Sequence, residues 1–181
     1  MIDFTTFFKA VHGEDREPFP WQAMLAERVS QSNQNPWPEV IDLPTASGKT
    51  AVLDVAVWAL AQQAALSPER RTAPRRIWLV VDRRIVVDEA FSRGKKIQAA
   101  LAEPALSEVA EALKQIGGTE HPLAVSRLRG GIIQNDQWAE NPAQPAIITS
   151  TVDQVGSRLL FRGYGMGQRK APVHAALAAY D

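Results

Sequence analysis

The sequence predicts an α/β fold, a doubly wound, mostly parallel sheet with helices on both faces, and three observations predict it. Short apolar runs of strand type alternate with longer helical patterns, and that alternation calls for parallel crossover connections. The run Ile77-Trp78-Leu79-Val80-Val81 is apolar at every position, as in a strand covered on both sides. The quartet Val40-Ile41-Asp42-Leu43 leads through a loop into a long helical pattern, the strand–loop–helix order of sheets that bind ligands at their carboxyl edge.

The elements follow in order. Phe4, Phe7, Phe8 and Val11 recur at helical spacing, predicting a short amphipathic helix over residues 4–12. Residues 14–20 form a charged, proline-containing loop, residues 21–29 a second helix, and residues 30–38 a polar connector. The strand at 40–43 precedes a loop and a helix from about Lys49 to Ala65. An arginine- and proline-rich connector, 67–76, leads to the strand at 77–81 and a helix at 85–101. A further helix spans 105–116 and is ended by Gly117-Gly118. Strands at 123–128 and 146–149 flank a mostly irregular stretch, 130–145. Val152, Val155 and Leu159 set the apolar face of a helix at 151–161, with Ser150 as its N-cap. A glycine-rich loop, 163–169, and a final helical turn or two, 173–180, complete the chain.

The 181 residues suffice for one domain with a real core. Twenty basic residues balance twenty acidic ones, so net charge gives no support for a nucleic-acid partner, and any such case rests on local placement. The absence of cysteine excludes disulfides and thiolate metal sites and suits a reducing cytoplasm, the expected location. No apolar stretch is long enough to span a bilayer, so no membrane partner is expected; the most apolar, 51–66, is interrupted by Asp54, Gln62 and Gln63. His12, His121 and His174 are isolated and lack metal-ligand spacing. Trp37, Trp58 and Trp138 read as packing residues, Arg70, Arg71, Arg75 and Arg76 as a solvated connector, and Arg93, Lys95 and Lys96 as decoration of an exposed helix face.

The segment with the clearest chemistry is Leu43-Pro44-Thr45-Ala46-Ser47-Gly48-Lys49-Thr50. A triphosphate presents closely spaced negative charges, and binding it needs inward backbone N–H groups, a cation, and a hydroxyl to help hold Mg²⁺. Thr45, Ala46, Ser47 and Gly48 form the loop, Lys49 reaches the β- and γ-phosphates as the candidate catalytic cation, and Thr50 ligates Mg²⁺. Leu43 stands where the strict motif has glycine, which argues against a generic GTPase or kinase. Ala46 replaces a middle glycine, a change that fits if its φ stays negative.

Four segments resemble the N-terminal part of superfamily 2 helicases, most closely the helicase-nuclease of type I CRISPR interference in the subtype where the helicase portion comes first. They are Phe19-Pro20-Trp21-Gln22, the phosphate loop, the stretch from Trp78 to Ala90, and the stretch from Ile147 to Gly165. The resemblance implies an incomplete RecA-like domain over 39–181, preceded by N-terminal helices over 1–38 that carry an adenine-recognition motif. It implies that Gln22 reads adenine, that ATP and Mg²⁺ are the cofactors, and that single-stranded DNA is the partner. Arg83 and Arg84, at the end of a parallel strand, and Thr149, Thr151 and Gln154, at the next strand-to-helix corner, are its candidate DNA contacts. Arg129 and Gly130, with Gly131, look like a further backbone-contact loop.

In this family an Asp-Glu-x-His box and a second motor domain complete the ATPase, and neither occurs in these residues; nor does a His-Asp nuclease motif. The expectation is therefore a fragment that binds ATP weakly without turnover, with a CRISPR RNA-guided surveillance complex and a separate chain bearing the missing motor half as further partners. Two alternatives stand beside it: a non-catalytic nucleotide- or DNA-binding decoy, and another phosphate-loop NTPase. The latter needs a carboxylate at a strand end, for which Asp82 is the candidate.

Overall fold

In the computed structural model, the described residues are 1–30, 37–130, 137–162 and 169–179. Three strands, β1 (Arg76–Val81), β2 (Ala124–Leu128) and β3 (Ala146–Thr151), form one parallel sheet in the order β1-β3-β2. Arg76 and Ala124 both lie opposite Ala146, so the strands start level and finish along one carboxyl edge. The helices are α1 (Phe4–His12), α2 (Pro20–Ser30), α3 (Val52–Gln62), α4 (Arg84–Ala100), α5 (Ser107–Gly117), α6 (Gln137–Glu140), α7 (Val152–Leu159) and α8 (Ala171–Ala178). None of the described helices is long and apolar enough to cross a membrane.

Alternation along the strands divides the core in two. Ile77, Val125 and Ile147 face one side, where they join Ala90 and Ile97 of α4 and the buried faces of α1, α2, α3 and α5. Trp78, Ala124, Ala146, Ile148 and Leu128 face the other, against Trp138 of α6 and Leu177 of α8. Phe4, Phe7, Phe8, Val11, Leu25 and Val29 belong to the same cluster as Val55 and Ile147, so the N-terminal helices share the core of the sheet. All six residues of β3 are buried, as expected for the middle strand.

Local signals explain the helix ends. Asp3 caps α1, accepting the Thr6 N–H at 2.9 Å and the Thr6 hydroxyl at 2.7 Å. The Thr6 backbone bond is the main cause holding the Asp3 carboxyl below its ordinary range. A depressed carboxyl stabilises the fold above the unfolded value and ceases to do so as pH falls through the folded one. Asp3→Ala is expected to cost about 1 kcal/mol at neutral pH, measured by urea unfolding, and the difference from wild type should shrink as the medium is acidified below the normal aspartate range. α3 is buried on every side from Leu53 to Ala61, which explains the chain's most apolar stretch. It begins after a 3₁₀ turn, Lys49–Ala51, and ends at Gln62, short of the expected Ala65. The Gln63 amide there donates to Val29 O at 2.9 Å and accepts the Thr72 and Ala73 N–H groups at 2.8 and 2.9 Å.

Several expectations are corrected. Val40–Leu43 is not a strand: it pairs with nothing among the described residues, and Val40 is 77% exposed. An apolar quartet becomes a strand only with a ladder to join, and the flank of β1 is lined instead by Trp37, Val52 and Pro74 around a cavity of about 220 Å³. The irregular stretch before β3 contains α6, whose Trp138 is buried. Arg76 is not a solvated connector residue; it opens β1, is 3% exposed, and donates to the carbonyls of Trp138 at 2.8 Å and Asn141 at 3.2 Å. α7 turns its polar side inward, burying Gln154, Ser157 and Arg158 while Val152 and Leu159 stand exposed. Its N-cap is Thr151, not Ser150, whose hydroxyl donates to Thr151 O at 2.9 Å.

His12 and Arg93, read as isolated and as surface decoration, meet at the wholly buried Asp54 of α3. His12 Nε2 lies 2.7 Å from Asp54 Oδ1, and Arg93 Nε pairs with Oδ2. One carboxylate thereby joins α1, α3 and α4.

Candidate functional site

The expected phosphate loop is a curled, exposed segment. Thr45, Ala46 and Lys49 are exposed, and Ser47, Gly48 and Thr50 are half-buried. Gly48 adopts φ +71°, a left-handed conformation that directs the chain from the loop into the 3₁₀ turn. Ala46 also has positive φ, +64°, contrary to the negative φ expected of it. An alanine held there costs about 1–2 kcal/mol of local strain. The Ser47 hydroxyl donates to Pro44 O at 2.8 Å. The Lys49 ammonium folds back over the loop, donating to Leu43 O and, at 2.9 Å, to Pro44 O. Both acceptors are exposed backbone carbonyls that water can satisfy, so the ammonium can leave them for an anion.

Gln22 lies against this loop. It is 2% exposed, its Oε1 accepts the Phe19 N–H at 2.9 Å, and its Nε2 donates to Gly48 O at 3.2 Å. Beside it, the Trp21 indole N–H donates to Ser47 O at 2.8 Å. The amide expected to meet a base edge is thus engaged with the loop backbone. Thr50 stands half-buried in the 3₁₀ turn at the head of α3.

A second group of candidates gathers at the carboxyl edge of the sheet. Arg83 and Arg84 follow β1, Arg129 and Gly130 follow β2, and Thr151 ends β3 with Gln154 just beyond it. Arg83 and Arg84 are exposed. A Cβ built on Gly130 would stand 3.5 Å from Arg84 Nη2 and 3.9 Å from Gln154 Nε2, so three segments far apart in sequence meet within one side-chain layer. Gly131 and the tail of the fourth segment, residues 163–165, lie outside the described residues.

The acidic partner in this corner is Asp88 on α4, whose pairing with Arg127 and Arg129 the sequence does not show. Its two oxygens take Arg127 Nη1 and Arg129 Nη1, each at 2.8 Å. Arg127 also stacks over the Phe91 ring at 4.7 Å. One carboxylate thus orders two guanidinium groups, leaving local positive charge beside exposed Arg83 and Arg84.

Three candidate contacts are less available: Thr149, Thr151, which is 7% exposed, and Gln154. Thr149 is fully buried, its hydroxyl 3.4 Å from Ser126 O, and it sits in mid-sheet rather than at the edge. Gln154 is 5% exposed and accepts from the buried Arg158 guanidinium at 2.9 Å. The registers explain the first: Thr149 lies opposite Leu79 and Arg127 on the side covered by α4. Among the described residues, no group of three or more His, Cys, Asp or Glu side chains is placed to hold a metal ion.

Of the two acids that organise these pairings, Asp54 and Asp88, one carries a signal in the sequence. Asp54 is a lone acid in an apolar helix, and a solitary charge in such a setting asks for a partner; Asp88 has Arg84 one helical turn before it, so the local sequence gives no sign that its partners are the distant Arg127 and Arg129. Neither a protein-family model, nor a curated protein, nor a solved structure matches the chain.

Proposed function

We propose that this chain is an ATP- and single-stranded-DNA-binding portion of a superfamily 2 helicase, of the kind that serves type I CRISPR interference, and that its sheet is part of a RecA-like motor domain. The observation that carries the reading is the convergence of Arg84, Gly130 and Gln154 at the carboxyl edge of a parallel sheet, the edge at which such sheets take their ligands. These residues come from three separate segments that resemble the family's backbone-contact motifs. Exposed Arg83 and Arg84, with Arg129 ordered by Asp88, suit contacts to phosphates rather than to base edges.

The phosphate loop supplies the nucleotide half of the reading. Lys49 provides the cation, Gly48 the turn, and Thr50 a hydroxyl for Mg²⁺. Magnesium, when bound with ATP, neutralises charge on the phosphates. The chain's own groups bind and orient the polyphosphate. Turnover needs further carboxylates, and a CRISPR RNA-guided complex and a chain bearing the remaining motor are the partners this reading calls for.

The test is fluorescence anisotropy with a labelled single strand at several salt concentrations. Arg84→Ala should weaken binding to all sequences alike and lower the magnitude of the salt slope by about 0.7, the release expected from one lost phosphate contact. Absence of DNA binding by the wild type at low salt, or an Arg84→Ala slope equal to that of wild type, overturns the DNA half of the reading.

A further inference from the structure

We propose that Trp21 and Gln22 are positioning residues whose side chains hold two consecutive backbone amides, Gly48 N–H and Lys49 N–H, in the orientation that receives a polyphosphate. The inference rests on the reading of residues 44–50 as a phosphate loop and assigns to Gln22 a role other than contact with the base.

The geometry begins with the peptide bond. In a trans peptide the C=O and the N–H of one unit point in opposite directions, and every peptide among the described residues is trans. Ser47 O accepts the Trp21 indole N–H at 2.8 Å, so the N–H of the same unit, on Gly48, points away from α2. Gly48 O accepts both the Gln22 side-chain amide at 3.2 Å and the Ala51 N–H of the 3₁₀ turn at 3.0 Å, so the Lys49 N–H points away from α2 and from that turn. Both carbonyls face one helix, and both N–H groups therefore face the opposite, open side. Neither N–H has a hydrogen-bond partner among the described residues.

The two donors are themselves fixed. Gln22 is 2% exposed, and its Oε1 accepts the Phe19 N–H at 2.9 Å; this bond settles which end of the amide donates to the loop. Phe19 backs the same point: a Cβ on Gly48 would lie 3.0 Å from Phe19 Cε2 and 3.0 Å from Gln22 Nε2. Gly48 is required there both for its positive φ and for this close approach. Successive N–H groups turned to one side at a left-handed residue make a concave anion receptor. The Lys49 ammonium, resting on Leu43 O and Pro44 O, stands beside it.

A positioning role predicts a base-independent effect. Tripolyphosphate, MgATP and MgGTP are titrated calorimetrically into the wild type, Trp21→Phe and Gln22→Leu. Trp21→Phe keeps a ring in place and removes only the indole donor. Each variant should lose about 2- to 12-fold in affinity, the value of one hydrogen bond, and by the same factor for all three ligands. In the wild type, the Gly48 and Lys49 amide resonances should be among those that move most when tripolyphosphate is added, a measurement independent of how the variants fold. Tripolyphosphate affinity unchanged in both variants overturns the inference, as does a Gln22→Leu loss confined to MgATP, which would return that residue to base reading. Failure of the wild type to bind tripolyphosphate or either nucleotide removes the phosphate-loop reading itself, a result distinct from wild-type binding that the two variants leave intact.

Discussion

Asp54→Ala is expected to destabilise the fold by about 3–5 kcal/mol, the cost of breaking a buried ion pair from one side. Asp54 is fully buried and binds His12 at 2.7 Å and Arg93 through its other oxygen. Removing it leaves the Arg93 guanidinium facing Phe8, over whose ring it lies at 5.8 Å, without its counter-charge. The effect reaches the site because Asp54 lies in the first turn of α3, just beyond Lys49 and Thr50. Equilibrium urea unfolding measures it. The double replacement Asp54→Leu with Arg93→Met should recover much of the loss, since an apolar pair of similar bulk needs no compensating charge. A change below 1 kcal/mol for Asp54→Ala would show that the three helices are held by packing alone.

Lys49→Ala should lower the affinity for MgATP by about 10- to 150-fold, corresponding to the 1.5–3 kcal/mol of a hydrogen bond to a charged group. Its effect on stability should be small, because Lys49 is exposed and its partners are exposed loop carbonyls. Calorimetric titration reads the first and thermal unfolding the second. Phosphate release should stay at background in both proteins, because Lys49 and Thr50 offer positioning but not the carboxylate that orients the attacking water. Steady phosphate release by the wild type, abolished by Lys49→Ala, would show that the chain turns ATP over unaided. MgATP affinity unchanged by the substitution would dissociate the loop from nucleotide binding.

How far the sequence discloses this molecule depends on the distance over which each decision is made. α1 was legible because Phe4, Phe7, Phe8 and Val11 repeat at its own period and Asp3 caps it locally. β1 was legible as a strand from its uninterrupted apolar run and β3 from Ala146-Ile147-Ile148, but the double covering expected of β1 belongs to β3: β1 is an edge strand with Val80 37% exposed, and β3 is buried throughout. Val40–Leu43 carries a similar local signal and is not a strand, since a ladder is a relation between segments. Val152, Val155 and Leu159 mark a helix correctly but misidentify its buried side: the inward position of Arg158, fully buried against Gln154, reflects what α7 meets. In the candidate site, the loop and the arginine corner were legible as residue types in order. The Asp88 clamp on Arg127 and Arg129 and the Trp21 bond to Ser47 O were not, because each spans 26 to 41 residues.

By itself, then, the sequence determined the alternation of strands and helices, hence an α/β chain with parallel strands, and the placing of Gly48, Lys49 and Thr50 at a helix head. These follow from periodicity and capping, which act within a few residues. Only the tertiary structure decided the strand order, the inward face of α7, the union of His12, Asp54 and Arg93, and the meeting of Arg84 with Gly130 and Gln154. The physical reason is that burial and charge pairing reward contacts in space, and the chain's spacing along its length does not say which residues will share that space.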